Sequence, residues 1–270
     1  MTTPSGMSHD PGTILDGYEG VPPPGTFFEA RPLPEFTGEQ LYRSPYRWNA
    51  PRILICDDGS LDSGECVYVR SDRITIGRTR GEITIGHDIA MSASHAEIVR
   101  GDFGGQHAWV LHDLNSRNGT LARVRRVTID PGQTILLGSK RFHFEAAGPG
   151  VSLSPGGPEA KTIRLDHPAG ISEGGQPALV ENDSPHAPGG QRHPFRNFRV
   201  TVGLPGYGNE IELDDPCIAP LHAVIERDAS GVWQLEAKPS LNGVWVRVGG
   251  VRLIDGCLFQ CGEQRFRFLL

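Results

Sequence analysis

Three short islands in this chain carry side chains suited to holding an anion. They are Gly77-Arg78, Ser92-Ala93-Ser94-His95, and the run from Asp113 to Thr120 that reads Asp-Leu-Asn-Ser-Arg-Asn-Gly-Thr. Arg78 offers a planar fork of donors that matches two oxygens of an oxyanion. Ser92 adds a hydroxyl, and the backbone N–H groups of its loop can add more. Arg117 brings a second positive charge. Asn118 has both a donor and an acceptor, which suits it to pair with the main chain of an extended segment. Gly119 allows a backbone angle that other residues resist, and Asn118-Gly119 is in any case a turn signal. A phosphate monoester, with nearly two negative charges and three acceptor oxygens, fits this donor set. The plainer alternatives are a strand-end surface arginine at Arg78, a turn serine at Ser92 and a turn arginine at Arg117.

Ser92 with His95 also invites an acyl-transfer reading. There is no Gly-x-Ser-x-Gly elbow, however, and no acidic partner with a defined role. No P-loop and no HExxH occur, and stretches such as His186 to His193 lack metal-ligand spacing. The expectation is a protein that is not an enzyme and uses no cofactor and no metal.

The elements that must position these islands read as strands. Ile74/Ile76, Ile83/Ile85, Trp109/Leu111 and Phe142/Phe144 alternate at period two, as do Val200/Val202, Ile211/Leu213, Trp233/Leu235 and Phe266/Phe268. Such alternation lines one sheet face with apolar side chains and leaves the other wet. Asp58-Gly59, Asn118-Gly119 and Pro131-Gly132 punctuate the runs. No stretch shows sustained helical spacing, and 35 glycines and 22 prolines favour short strands and turns. An all-β fold follows, with antiparallel sheets packed face to face. Each island borders a strand, so each falls in a loop at a sheet end, where recognition residues are free to act.

The chain also repeats itself. Trp109, Asn118, Gly119, Val127, Gly138, Phe142 and Phe144 recur as Trp233, Asn242, Gly243, Val251, Gly262, Phe266 and Phe268; His95-Ala96 recurs as His222-Ala223. Small drifts in the offset mean loop insertions on one shared scaffold. The expected organisation is a flexible Pro/Gly-rich tail over 1–50, a first domain over 51–147, a linker over 148–176 and a second domain over 177–270. An isolated strand at Lys161–Leu165 is expected within the linker.

The order Gly-Arg, Ser-x-x-His-Ala, Asn-Gly-Thr with strands between resembles the forkhead-associated (FHA) domain, here over about residues 51–147. The resemblance implies a β-sandwich that binds phosphothreonine peptides, with threonine preferred over serine. Arg78, Ser92 and Arg117 then hold the phosphate, and Asn118 holds the peptide main chain. Gly77, His95, Gly119 and Thr120 support the site, His95 by bracing loops from inside. The family's frequent specificity position, two before Ser92, is Ala90. The second copy resembles the same family in a degenerate form. Leu204, Ala219 and Leu241 stand where the first has Arg78, Ser92 and Arg117, while His222, Asn242 and Gly243 remain. Loss of donors with the scaffold kept leaves an apolar loop end, expected to pack on another surface.

Composition narrows the setting. The net charge of −6 argues against nucleic acid as a partner. Residues 51–147 carry 12 basic and 12 acidic side chains, so the first copy is neutral inside an acidic chain, with its arginines locally bunched. Five cysteines with no CxxC pair predict reduced, mostly buried thiols. No apolar run nears the ~20 residues of a membrane span, and Met1–Gly20 lacks secretory-signal features, so a cytoplasmic protein without membrane insertion is expected. The expected function is a phosphothreonine-dependent adaptor downstream of a serine/threonine kinase. The alternative is a phosphorylation-independent scaffold, for example of a secretion or membrane-associated complex. Tail threonines Thr3, Thr13, Thr26 and Thr37 are candidate ligands in cis.

Overall fold

The computed structural model describes residues 50–103, 106–147, 171–172, 175–182 and 190–270. Nearly all of the tail expected over 1–50, its threonines, and the strand expected at Lys161–Leu165 lie outside the described residues. Those described form strands only. In chain order the first repeat supplies β1 (Arg52–Cys56), β2 (Gly64–Tyr68), β3 (Arg73–Gly77), β4 (Ile83–Thr84), β5 (Ala96–Phe103), β6 (Gln106–Asp113), β7 (Thr120–Val124), β8 (Arg126–Thr128), β9 (Thr134–Leu137) and β10 (Lys140–Ala147). After β11 (Ile171–Ser172), the second repeat supplies β12 (Ala178–Asn182), β13 (Arg192–Pro194), β14 (Arg199–Gly203), β15 (Ile211–Glu212), β16 (Ala223–Arg227), β17 (Trp233–Ala237), β18 (Val244–Val248), β19 (Gly250–Leu253), β20 (Leu258–Cys261) and β21 (Gln264–Leu269).

The strands do not pair within their own repeats throughout. The first repeat opens with β3, β4, β5 and β6 in one sheet, but the strand that closes it beside β6 is β19 of the second repeat, with Leu111 opposite Val251. Its facing layer pairs β1 with β21, Ile53 opposite Phe268. Reciprocally, β8 of the first repeat closes the sheet of β14 to β17, Val127 opposite Leu235, and β10 pairs with β12, Phe144 opposite Leu179. The repeats therefore exchange their C-terminal strands. The facing layers merge into one 11-stranded sheet, whose long path runs β13-β12-β10-β9-β18-β7-β20-β21-β1-β2. At its centre β7 and β18 run antiparallel, with Ala122 opposite Val246. Those two residues occupy the same repeat position, so a pseudo-twofold axis passes between them.

Two cores result. One gathers Ile53, Ile74, Ile76, Ile98 and Leu111 with Leu253, Phe259, Phe266 and Phe268. The other gathers Ile135, Leu137, Phe142 and Phe144 with Leu179, Val200, Val202, Ile225, Leu235 and Val246. The expected division at 51–147 and 177–270 describes the sequence repeats, but each core draws on both segments, so neither segment is a self-contained packing unit. The crossing points are short: only Arg125 separates β7 from β8 and only Gly249 separates β18 from β19, and at each the chain runs on into the neighbouring lobe. All five cysteines are free as expected, but only Cys56 and Cys261 are buried; Cys217 and Cys257 are half-buried and Cys66 is exposed. No helix among the described residues is long and apolar enough to cross a membrane.

Candidate functional site

Each island sits at the same end of the first lobe, tied to the others by hydrogen bonds. Arg78 follows β3 and its backbone N–H donates to Ser92 O at 2.9 Å. Gly77 has to be glycine, because a Cβ there would collide with the Ala93 and Arg80 carbonyls. Ser92 Oγ accepts the Arg117 N–H at 3.0 Å, bridging the second and third islands. With Oγ serving as acceptor there, its hydroxyl hydrogen remains available to an incoming oxyanion. The Asn118 side chain donates from Nδ2 to Ala90 O at 2.7 Å. The four residues expected to touch ligand are thus brought together, with Arg78, Ser92 and Asn118 half-buried and Arg117 exposed.

The supporting residues act from beneath. His95 is fully buried; its Nδ1 accepts the Ser92 N–H at 3.0 Å, and its Nε2 lies 3.3 Å from Gly119 O. With Nδ1 as acceptor, the proton sits on Nε2 and is donated to Gly119 O. Burial pushes the His95 pKa below the usual histidine range; the Gly119 hydrogen bond opposes this, and the nearby Arg247 charge adds to it. A neutral imidazole is the form this double role needs. Thr120, also fully buried, donates to Asp113 Oδ1 at 2.7 Å, and Asp113 further accepts the Ser116 hydroxyl and N–H. Asn115 at φ 55° lets this tight loop close.

Two contributors were missed in the sequence. Asp88 is buried, and its Oδ1 accepts the N–H groups of Ala90 and Met91 while its Oδ2 accepts those of Glu263 and Gln264 from the second repeat. Arg141 donates from Nη1 to Asn118 O at 3.2 Å. The recurrence of Asp88 as Asp215 was a visible signal for the first; nothing in the pattern marked the second. Ile89, 88% exposed, stands beside Ala90, so the loop also presents an apolar side chain. Among the described residues no cluster of His, Cys, Asp or Glu could hold a metal ion.

The second repeat keeps the frame without the donors. Leu204 N–H donates to Ala219 O at 3.2 Å, and His222 Nδ1 accepts the Ala219 N–H while Nε2 donates to Gly243 O at 2.9 Å. Asn242 Nδ2 donates to Cys217 O at 3.0 Å. Leu241 is 86% exposed, with Tyr207 and Leu221 also exposed on this repeat.

Residues 74–138 and 200–262 each match the family model of the FHA domain. Among solved structures, one from a structural and functional analysis of phosphothreonine-dependent FHA domain interactions is 14% identical, covering 82% of this chain and 96% of its own, at a TM-score of 0.30. Full-length yeast Pml1p is 19% identical over 32% of this chain and 69% of its own, at a TM-score of 0.25. Mycobacterium tuberculosis EmbR in complex with a low-affinity phosphopeptide is 25% identical over 30% of this chain and 22% of its own, at a TM-score of 0.19. No curated protein matches the chain.

Proposed function

The chain is a tandem FHA protein, and on that premise we propose that it is a phosphothreonine-binding adaptor whose working site is the loop end of the first repeat. Arg78, Ser92 and Arg117 take the phosphate, and Asn118 takes the main chain of the extended peptide. The observation that carries this is the Ser92 bridge. Its Oγ holds the Arg117 backbone N–H, and its carbonyl holds the Arg78 backbone N–H, so one serine ties the main chains that carry both arginines to one loop. Two guanidinium groups and a hydroxyl at one loop end form a donor set for a dianion. The partners in this proposal are proteins phosphorylated on threonine by a serine/threonine kinase, met in the cytoplasm, and the protein acts by recruitment instead of catalysis.

The test uses the full chain, since each lobe needs strands from both repeats. Binding of a phosphothreonine peptide and its unphosphorylated twin is measured by isothermal titration, then repeated with Arg78→Ala. Loss of a charge-assisted contact costs about 1.5–3 kcal/mol, roughly ten- to hundredfold in affinity. Equal binding of the two peptides, or an unchanged affinity in the variant, refutes the proposal.

A second reading has one observation in its favour, the exposed Leu241 where the first repeat has Arg117. In that reading the second loop end is an apolar contact surface that works without phosphorylation. A partner kept by Arg78→Ala but lost with Leu241→Asp assigns assembly to that surface.

A further inference from the structure

The strand exchange brings one cation of the second repeat onto the loop that holds Asn118. Strand β18 lies antiparallel on β7, which places Arg247 opposite Leu121 and Val248 opposite Thr120. From there the Arg247 side chain passes over Gly119. A Cβ on that glycine would lie 2.7 Å from Arg247 Cδ and 2.9 Å from Cγ, and closer still to Nε. Gly119 has φ +75° and is buried, so the loop both needs glycine there and leaves its surface for the arginine stem.

The repeat supplies an internal control. Arg123 occupies the corresponding place on Gly243, and its Nη2 donates to Ser240 O at 3.0 Å and Leu241 O at 3.2 Å. That guanidinium is half-buried and spent on the degenerate loop; its burial pushes its pKa down. Arg247 is exposed, and among the described residues its guanidinium makes no hydrogen bond or ion pair. Equivalent positions thus serve differently. Where the phosphate-binding residues have been lost, the arginine is used up internally; where they are intact, it keeps its donors.

The loop order suggests which ligand group it meets. Arg117 is fixed to Ser92, Asn118 to Ala90, and Gly119 with Arg247 comes next. In the reading above the phosphate already has Arg78, Ser92 and Arg117, so the additional guanidinium over Gly119 is left for another group of the same ligand. We propose that Arg247 of the second repeat is a specificity residue of the first repeat's site, pairing with a carboxylate side chain that flanks the phosphothreonine. This rests on the phosphopeptide reading given above and adds to it a requirement for acidic sequence. It also gives the exchange a functional consequence, because a self-contained first repeat could not present this cation.

The experiment uses the full chain and fluorescence-labelled phosphothreonine peptides. One has only alanines around the phosphothreonine, and in the others a glutamate is moved through the three positions on either side. Wild type is expected to favour glutamate over alanine at one or more positions by about 1.5- to fivefold, the range for an exposed ion pair. Arg247→Gln is expected to bring that ratio to about one, and Arg247→Glu to shift the preference to lysine at the same position. A wild-type ratio of one at every position overturns the inference, and so does a preference that survives Arg247→Gln. A loss shared equally by glutamate and alanine peptides leaves the ratio intact and likewise overturns it. In each of those cases phosphate-dependent binding itself still stands. Wild type that fails to separate phosphorylated from unphosphorylated peptide overturns the underlying reading and this inference with it.

Discussion

Replacing Asp88 with alanine removes one carboxylate that joins the two repeats to the binding loop. Its two oxygens accept four backbone N–H groups, from Ala90 at 2.9 Å, Met91 at 3.2 Å, Glu263 at 2.8 Å and Gln264 at 3.1 Å. Only 7% of the residue is exposed. A hydrogen bond to a charged group contributes roughly 1.5–3 kcal/mol when lost, but water can reach the amides of the exposed Glu263 turn and recover part of it. The net cost is therefore about 3–5 kcal/mol, a large share of an ordinary domain's 5–15 kcal/mol but short of unfolding it. The loop from Ala90 to Met91 also anchors Asn118, so phosphopeptide affinity is expected to fall about tenfold. Asp215→Ala is the matched control. Asp215 is 3% exposed and accepts the N–H groups of Cys217 and Ser139 and the Ser139 hydroxyl, each at 2.7 Å. It should destabilise by a similar amount while phosphopeptide affinity stays within twofold. Urea unfolding followed by tryptophan fluorescence gives the first quantity and titration calorimetry the second. Stability within about 1 kcal/mol of wild type for Asp88→Ala, together with an unchanged Kd, refutes the idea that this carboxylate ties the repeats to the site.

The strand exchange predicts that a protease site inserted between residues 150 and 160 can be cut without separating the halves. The fragments should elute together from a sizing column, because Phe266 and Phe268 stay packed with Ile53 and Ile74; two independently eluting fragments would count against the exchange. Stability should also depend on pH below about 6.5. Burial depresses the pKa of both His95 and His222, so each is neutral in the folded state and binds its proton more readily once unfolded. Their contribution is complete above the unfolded value near 6.5 and is lost as pH falls toward the folded value, by up to about 1.4 kcal/mol per pH unit for each histidine. Urea midpoints that are the same at pH 7.5 and pH 5 contradict this.

The strands, the repeat and the loop end were legible because each rests on short-range chemistry. Period-two alternation places Ile74 and Ile76 in a core whichever strand lies beside them, and both are buried. Gly77, His95 and Gly119 mark close backbone approaches that only those residue types tolerate. Strand partnership was not legible in the same way. The position equivalent to β21 in the first repeat is β10, and each presents two alternating phenylalanines to whichever core receives it. Apolar pattern alone cannot tell Phe144 from Phe268 as the partner of Ile53. The crossings share no sequence mark either: one passes through Arg125 and the other through Gly249-Gly250, yet both strands join the neighbouring lobe. Arg247 was invisible for the same reason, since its role depends on which lobe β18 joins.

The exchange also bears on how the second repeat retains its frame with Leu204, Ala219 and Leu241 where the first has Arg78, Ser92 and Arg117. Leu241 is exposed at the second loop end, while Leu204 and Ala219 are half-buried there and Leu204 packs against the edge of the core. His222, Asn242 and Gly243 hold the start of β18, the strand that lines β7 directly after Asn118-Gly119. Phe259, Phe266 and Phe268 fill the first lobe's own core. A change that loosened the second repeat would therefore open the core beneath the first site, whereas a change confined to the second set of donors would not. On this architecture the two repeats are free to diverge only at their loop ends.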